Sequence, residues 1–217
     1  MPTPCQTTLH AWGKTKSLRE SPVNSHPASD TDGLGDDPFA IPLNERLQID
    51  QASGKRASAY GEIHPESASQ LFASLALGPE DCFFDLGSGD GKLVMQVAIE
   101  TQVGQSIGIE LSASRHAMAE RALRGHPELS RRVRLFHGDF RRCDLSRATV
   151  ILAGSLCFPE TLMRGLIRRA LMARALRRVI SFRQIPSTID AQFREIAEID
   201  LKTSWAHRSR AHVYSPR

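Results

Sequence analysis

Residues 83–92 read Phe-Phe-Asp-Leu-Gly-Ser-Gly-Asp-Gly-Lys and are the most informative stretch of this 217-residue chain. The apolar start predicts a buried strand, and Asp85 is followed by glycines at every second position from 87 to 91. Dinucleotide-binding folds space their glycines as G-x-G-x-x-G, so that a helix N-terminus meets a pyrophosphate. The alternating spacing therefore argues against an NAD-type site.

The same residues suit S-adenosylmethionine, which has no phosphate but carries a cationic sulfonium and an amino-acid tail. A carboxylate at the end of a strand, Asp85, can pair with a positive charge, and glycine permits close backbone approach. The loop residues expected at this site are Gly87, Ser88, Gly89 and Gly91. Gly108-Ile109-Glu110 ends the next apolar run, 25 residues after Asp85. In such folds an acidic residue meets a ribose after roughly 20 residues, so Glu110 is expected there.

Composition predicts one soluble domain with an attached tail: 41% of the residues are hydrophobic and 24% are charged. The four cysteines form no C-x-x-C pair and have no metal-ligand spacing with the histidines, so we expect reduced thiols and no metal site. No run approaches the roughly 18 apolar residues that cross a bilayer, and the N-terminus lacks an apolar signal core. Secretion and membrane insertion are therefore not expected.

Two parts of the chain meet near residue 58. Residues 1–58 are rich in Ser, Pro, Asp and Gly and lack apolar periodicity, which predicts a disordered N-terminal arm ahead of a folded domain at 59–217. The net charge is +4, and its basic excess lies after residue 58. Arginine pairs occur at 131–132, 141–142, 168–169 and 177–178. Arginine forks suit phosphate and carboxylate, so a DNA or acidic-protein surface is one hypothesis and solvated helix faces are the other.

An alternation of helices and strands from residue 64 onward predicts an α/β fold. Helices are predicted at 67–77, 92–101, 113–124 and 160–173, and strands at 82–86, 106–110, 133–137, 149–153, 178–182, 196–205 and 211–214. The last two strands lie too close for a crossover helix and must pair as an antiparallel hairpin. The expected architecture is the Rossmann-like, seven-stranded sheet of class I methyltransferases, with helices on both faces.

Several blocks in order carry a more specific resemblance. They are Tyr60-Gly61-Glu62-Ile63, residues 85–91, Gly108-Ile109-Glu110, Gly138-Asp139-Phe140, residues 150–160, and Ser204-Trp205 with Tyr214. Together they resemble the disruptor-of-telomeric-silencing family of non-SET, lysine-79-specific histone-lysine methyltransferases, in a short microbial or protist form. The resemblance implies S-adenosylmethionine-dependent methylation of a core histone lysine on the nucleosome. It also implies a nuclear location in a eukaryote and a cytoplasmic one otherwise.

The resemblance also implies roles for residues around the cofactor. Glu62 and Asp85 would face its methionine end, and Glu110 its ribose. Asp139 would accept from the adenine amine, and Phe140 would cover the ring. On the acceptor side, Tyr60, Phe158 and Tyr214 would line a narrow channel, and Ser155 would contact the lysine. A neutral amine would then attack the methyl group in line, with desolvation lowering the pKa of the amine from its usual 10.4 or so.

Two departures from the family pattern stand out. Gly154-Ser155 replaces an Asn-Asn pair, which leaves one hydroxyl where the family has planar amides. Lys92 stands where a family glutamine follows the glycines, and no long basic tail follows the core. Nucleosome contact through such a tail is therefore not expected, and the arginine pairs or the N-terminal arm would have to provide it.

The sequence also supports other hypotheses about function. Residues 6–14 resemble a sliding-clamp binding peptide, with Gln6, Leu9 and Trp12 at its key positions. The loop sequence also resembles mitochondrial lysine methyltransferases that act on non-histone proteins. A rival of another class is a non-catalytic module that binds a clamp and DNA. The acidic residues Asp85, Glu110 and Asp139 argue against that module, because a protein without catalysis does not need them.

Overall fold

A computed structural model describes residues 41–185 and 190–217. The helices are α1 Leu43–Ser53, α2 Pro65–Leu75, α3 Lys92–Glu100, α4 Ala113–Arg124 and α5 Glu160–Ala170. The strands are β1 Cys82–Leu86, β2 Gln105–Glu110, β3 Val133–His137, β4 Val150–Ala153, β5 Arg178–Ser181, β6 Phe193–Thr203 and β7 Ala206–Pro216. Single 3-10 turns lie at Pro127–Leu129, Phe140–Arg142, Ser155–Cys157 and Asp190–Gln192.

The seven strands form one sheet in the order β3-β2-β1-β4-β5-β7-β6. Strands β1 to β5 run parallel, whereas β7 is antiparallel to both β5 and β6. The predicted α/β sheet with its terminal hairpin is confirmed. Chain order reverses between β1 and β4, and a reversal of this kind opens a crevice at the carboxyl ends of the strands. Asp85 at the end of β1 lies opposite Gly108 on one side and Leu152 on the other.

The sheet buries a hydrophobic layer on each face. Phe83 and Phe84 point to opposite sides because successive strand residues alternate. One layer packs β-strand side chains such as Phe84 against α5, and the other packs side chains such as Phe83 against α2 and α3. No helix in the described part of the chain has both the length and the apolar character needed to cross a bilayer.

The prediction of a disordered arm over residues 1–58 is wrong for its last part, because α1 forms there. Glu45 anchors this helix: its carboxylate accepts from Ser112 Oγ at 2.7 Å and from Ser114 Oγ at 2.5 Å. Ile41 and Ile49 are buried. The apolar residues of α1 do not form a continuous stripe, so periodicity could not reveal it. The proposed clamp peptide with Gln6, Leu9 and Trp12 lies outside the described residues.

Candidate active site

The glycine turn after β1 links the ends of two neighbouring strands. The backbone N–H groups of Gly87 and Ser88 donate to Ile109 O at 2.8 and 3.1 Å. Gly89 N donates to Glu110 Oε2 at 2.8 Å. Gly91 is the N-cap residue of α3 and has a φ of 78°. It does not line either of the cavities described below. The turn therefore holds Glu110 from β2 beside the end of β1.

Buried negative charge concentrates at this point. Asp85 is 4% exposed, and burial, followed by the charges of Glu110 and Asp90, raises its pKa to about 7. Glu110 is also buried, and its other oxygen accepts from Ser112 N at 2.7 Å. Among the residues that the structure describes, no ion pair includes Asp85 or Glu110. A cationic ligand would relieve this repulsion.

Two adjoining cavities open over the carboxyl ends of the strands. The wide cavity, of about 270 Å³, is lined by residues that include Glu110, Arg115, Asp139, Phe140, Phe158 and Leu156. The narrow cavity, of about 100 Å³, is lined by residues that include Glu62, Asp85, Ser88, Asp90 and Lys92. Both share Tyr60, Gly61, Gly87, Gly154 and Trp205 in their walls. The two cavities therefore meet at these five residues.

Asp139 and Phe140 reach the wide cavity from the turn after β3. The Arg141 guanidinium binds both Asp139 oxygens, with Nη2 at 2.6 Å from Oδ2. Burial alone would raise the pKa of Asp139, but the hydrogen bonds from Arg141 outweigh it and lower that pKa. The Phe140 ring stacks against Phe158 at a centroid distance of 5.8 Å. An adenine amine would therefore have to share Asp139 with Arg141.

Residues 58–62 form a segment over the cavities, here called the strap. Tyr60 Oη donates to Glu62 Oε1 at 2.8 Å, and Lys92 Nζ lies 2.6 Å from the same oxygen. On the other side, Arg115 Nη2 donates to Ser58 O at 3.0 Å. Its guanidinium carbon lies 4.7 Å from the Tyr60 ring centre. Arg115 was not foreseen, because an arginine within a polar helix carries no local signal that it will be buried.

The Ser204-Trp205 turn of the hairpin holds the other end of the strap. Glu62 N donates to Ser204 Oγ at 2.9 Å, and Ser204 N donates to Glu62 O at 2.8 Å. The Trp205 ring lies directly on Gly61, where a β-carbon would come within 2.2 Å of Trp205 Cε3. Trp205 is 40% exposed and lines both cavities. It is a site residue that the predicted set omitted.

Two residues expected at the acceptor channel lie elsewhere. Ser155 has no exposed surface, and its hydroxyl is 2.6 Å from Ser181 Oγ, because the turn Ser155–Cys157 directs it inward beneath β5. Tyr214 lies in the core, where its hydroxyl accepts from Ile185 N at 3.2 Å. Contact of either side chain with an acceptor is not supported. The wall at this point is formed by Gly154, Leu156, Cys157 and Phe158.

The arginine pairs are partly structural. At least one member of each pair bonds to the fold: Arg132 to Thr101 O, Arg141 to Asp139, Arg169 to Cys143 O, and Arg177 to Asp81. Arg131, Arg142 and Arg168 are exposed. The basic surface is therefore smaller than the sequence suggested.

Comparison with known proteins assigns the chain to a family. The model of the family described as histone methylation protein DOT1 matches residues 48–210, which is most of the chain. The chain belongs to the DOT1 family. The resemblance inferred from the sequence blocks is thereby confirmed. The DOT1 match begins inside α1, in agreement with the finding that this helix is part of the folded domain.

Individual relatives match shorter stretches. A histone-lysine N-methyltransferase, H3 lysine-79 specific, of Caenorhabditis elegans is 45% identical over 56 residues, which are 26% of this chain and 6% of that protein. The enzyme of the same name from Yarrowia lipolytica is 31% identical over 120 residues, or 48% of this chain and 24% of that protein. The chain thus spans less than a quarter of the length of these DOT1 relatives.

The fold itself has many solved counterparts. The magnesium protoporphyrin IX methyltransferase of Synechocystis PCC 6803, solved with bound SAM, superposes with a TM-score of 0.57 at 15% identity. The match covers 71% of this chain and 80% of that one. This DOT1-family chain therefore has the Rossmann-like fold of class I methyltransferases.

Proposed function

We propose that this protein is an S-adenosylmethionine-dependent lysine methyltransferase whose substrate is a core histone, with histone H3 as the preferred acceptor. The DOT1 relatives are named as H3 lysine-79 specific enzymes, and the Synechocystis structure holds SAM in the same fold. The proposal extends both properties to this chain.

One observation carries the cofactor assignment: acidic residues stand at the ends of three adjacent strands. Asp85 is the next-to-last residue of β1, Glu110 is the last residue of β2, and Asp139 lies two residues after the end of β3. All three line the two adjoining cavities. The pKa of Asp85 is raised to about 7 by burial and by the charges of Glu110 and Asp90, so this residue fits a ligand with a sulfonium and an ammonium group.

Each acidic residue would bind a different part of the cofactor. Asp85 would hold the ammonium group, Glu110 the ribose hydroxyls, and Asp139 with Phe140 the adenine. S-adenosylmethionine supplies a methyl group on a positively charged sulfur, which makes that methyl group a target for a nucleophile. The lysine amine must be neutral to attack the methyl group. Because desolvation favours the neutral form of an amine, the protein must remove water from around it.

The aromatic wall is suited to that task. Tyr60 and Trp205 stand between the cavities, and Phe158 with Leu156 extends the apolar lining of the wide cavity. Desolvation by these side chains lowers the pKa of an entering lysine, whose neutral form is otherwise about 4.6 kcal/mol uphill at pH 7. Holding the amine in line with the methyl group supplies a further part of the rate.

The test is transfer of labelled methyl from S-adenosylmethionine to reconstituted nucleosomes, free histone H3 and a histone-free control. The variant Glu110→Gln removes the charge and replaces one of the two accepting oxygens, which bind Gly89 N and Ser112 N, with an NH2 donor. Glu120→Gln, a change to a carboxylate on the exposed side of α4, is its matched control. We expect label on histone H3 that disappears in Glu110→Gln and persists in Glu120→Gln. Tight cofactor binding without label on any histone would exclude the chromatin substrate and favour a non-histone lysine.

Chromatin partners belong to the same proposal. The exposed Arg131, Arg142 and Arg168 are candidates for DNA contact, and a nuclear location follows if the organism is a eukaryote. Clamp binding through Gln6, Leu9 and Trp12 is a separate proposal. Pull-down of a sliding clamp with the Trp12→Ala variant as control tests it.

A further inference from the structure

The narrow cavity contains a cation where the family pattern has an amide. Lys92 is the first residue of α3, and its Nζ lies 2.6 Å from Glu62 Oε1 and 3.1 Å from Asp90 Oδ2. Among the described residues that line the narrow cavity, Lys92 is the sole basic side chain. It shares that cavity with the buried Asp85.

The charges in this cavity are arranged for a zwitterion. An amino-acid tail carries an ammonium and a carboxylate on one carbon, so it needs an acid and a base within a few ångströms of its end. Asp85 provides the acid. Glu62 is less suited to binding the ammonium group of the ligand, because its Oε1 already accepts from Tyr60 Oη and Lys92 Nζ. The N-terminus of α3, nine residues long, adds partial positive charge beside Lys92.

We propose that Lys92 determines cofactor specificity by binding the carboxylate of the cofactor's amino-acid tail. The inference rests on the proposed use of S-adenosylmethionine. Glu62 and Asp90 hold the ammonium of Lys92 toward the cavity, and the lysine stays protonated there. Burial alone would lower the pKa of Lys92, but its contacts with Glu62 and Asp90 outweigh burial and raise it. Lys92 is therefore a fixed positive charge at neutral pH.

The experiment compares two ligands that differ in one group. S-adenosylmethionine and its decarboxylated form are titrated calorimetrically into the full chain, Lys92→Met, Lys92→Gln and the control Lys202→Gln. Lys202 is an exposed residue of β6 outside both cavities. Thermal unfolding of each variant verifies that it is folded.

We expect the unaltered chain to prefer S-adenosylmethionine over the decarboxylated form by about tenfold or more, as a charge-assisted contact requires. Lys92→Met should lose that preference, with the affinity for the decarboxylated form changing less than about twofold. Lys92→Gln should retain part of the preference through its amide, and Lys202→Gln all of it.

Equal loss of both ligands in Lys92→Met would overturn the inference, because it would mean that Lys92 acts only by holding Glu62 and the strap. Retention of the full preference in Lys92→Met would overturn it as well. If the unaltered chain bound neither ligand, the proposed function itself would fail. If the unaltered chain bound both ligands equally, the proposed use of S-adenosylmethionine would stand, but the role of Lys92 would be excluded.

Discussion

Tyr60 lies against Gly89 so closely that a β-carbon at position 89 would stand 2.5 Å from Tyr60 Cε2. Gly89 has a φ of 55°, in the left-handed region that favours glycine. The missing side chain thus has two consequences: the turn can form, and the strap can lie on it. Tyr60 occupies the boundary between the wide and narrow cavities because of this contact.

Replacing Gly89 should damage both cofactor binding and folding. We expect Gly89→Ala to weaken binding of S-adenosylmethionine by tenfold or more and to cost about 1–3 kcal/mol of unfolding free energy, because strain and displacement of Tyr60 act together. Calorimetry and denaturant unfolding measure the two effects. Gly78→Ala, in a turn where a β-carbon has space, is the control. Unchanged binding in Gly89→Ala would show that the strap can move without consequence.

Asp85 should make the protein less stable as pH rises. Its folded-state pKa of about 7 exceeds the unfolded value near 4, so the fold binds the proton more tightly in between. Stability from this group is complete below pH 4 and is lost as pH rises through 7. We expect Asp85→Asn to be more stable than the unaltered chain at pH 8, by up to about 4 kcal/mol, and equally stable near pH 4.

The same substitution should abolish cofactor binding, since the amide offers no charge to the ammonium group. Denaturant unfolding from pH 4 to pH 8, together with calorimetry at pH 8, separates the two effects. A pH profile of Asp85→Asn identical to that of the unaltered chain would show that Asp85 has the same pKa in the folded and unfolded states.

Glu45 should connect α1 to the cofactor site. It accepts from Ser112 Oγ and Ser114 N, and Ser112 Oγ in turn caps α4 by accepting from Arg115 N. We expect Glu45→Ala to lower unfolding free energy by about 1–3 kcal/mol and to weaken cofactor binding, because α1 lines the wide cavity. Glu80→Ala, an exposed acid without such contacts among the described hydrogen bonds, should do neither. Equal behaviour of the two variants would mean that α1 is held by its apolar contacts alone.

Arg177 should contribute to stability rather than to nucleic-acid binding. Its guanidinium binds Asp81 through Nε at 2.9 Å and Nη2 at 2.6 Å. We expect Arg177→Gln to lower unfolding free energy by about 2 kcal/mol at pH 7 and the exposed control Arg174→Gln to change it little.

The difference between these two variants should shrink as pH falls. Arg177 lowers the pKa of Asp81 against the effect of burial, so this stability is present above the unfolded pKa near 4 and is lost as pH falls through the lower pKa of the folded state. DNA affinity, measured at fixed salt, should fall no more in Arg177→Gln than in Arg174→Gln. A selective loss in Arg177→Gln would instead assign this residue to a DNA surface.

Local patterns were sufficient for the architecture and for much of the site. Alternating apolar runs predicted all seven strands, and the glycine turn with Asp85 and Glu110 predicted the crevice. Strands β6 and β7 are longer than predicted. Much of one face of this hairpin is exposed, and the polar residues on that face interrupt the apolar pattern. Helix α1 was missed because its Glu45 is bound by Ser112 and Ser114, which lie more than 60 residues away in the sequence.

The sequence by itself determined the fold class, the family and the acidic residues at the strand ends, because these depend on spacing along the chain. Only the tertiary structure decided which side chains reach the cavities. It turned Ser155 and Tyr214 inward, brought Trp205 onto Gly61, and paired Lys92 with Glu62. The physical reason is that each of these outcomes depends on contacts between segments distant in sequence, and on which face of a turn is left open after the sheet has packed.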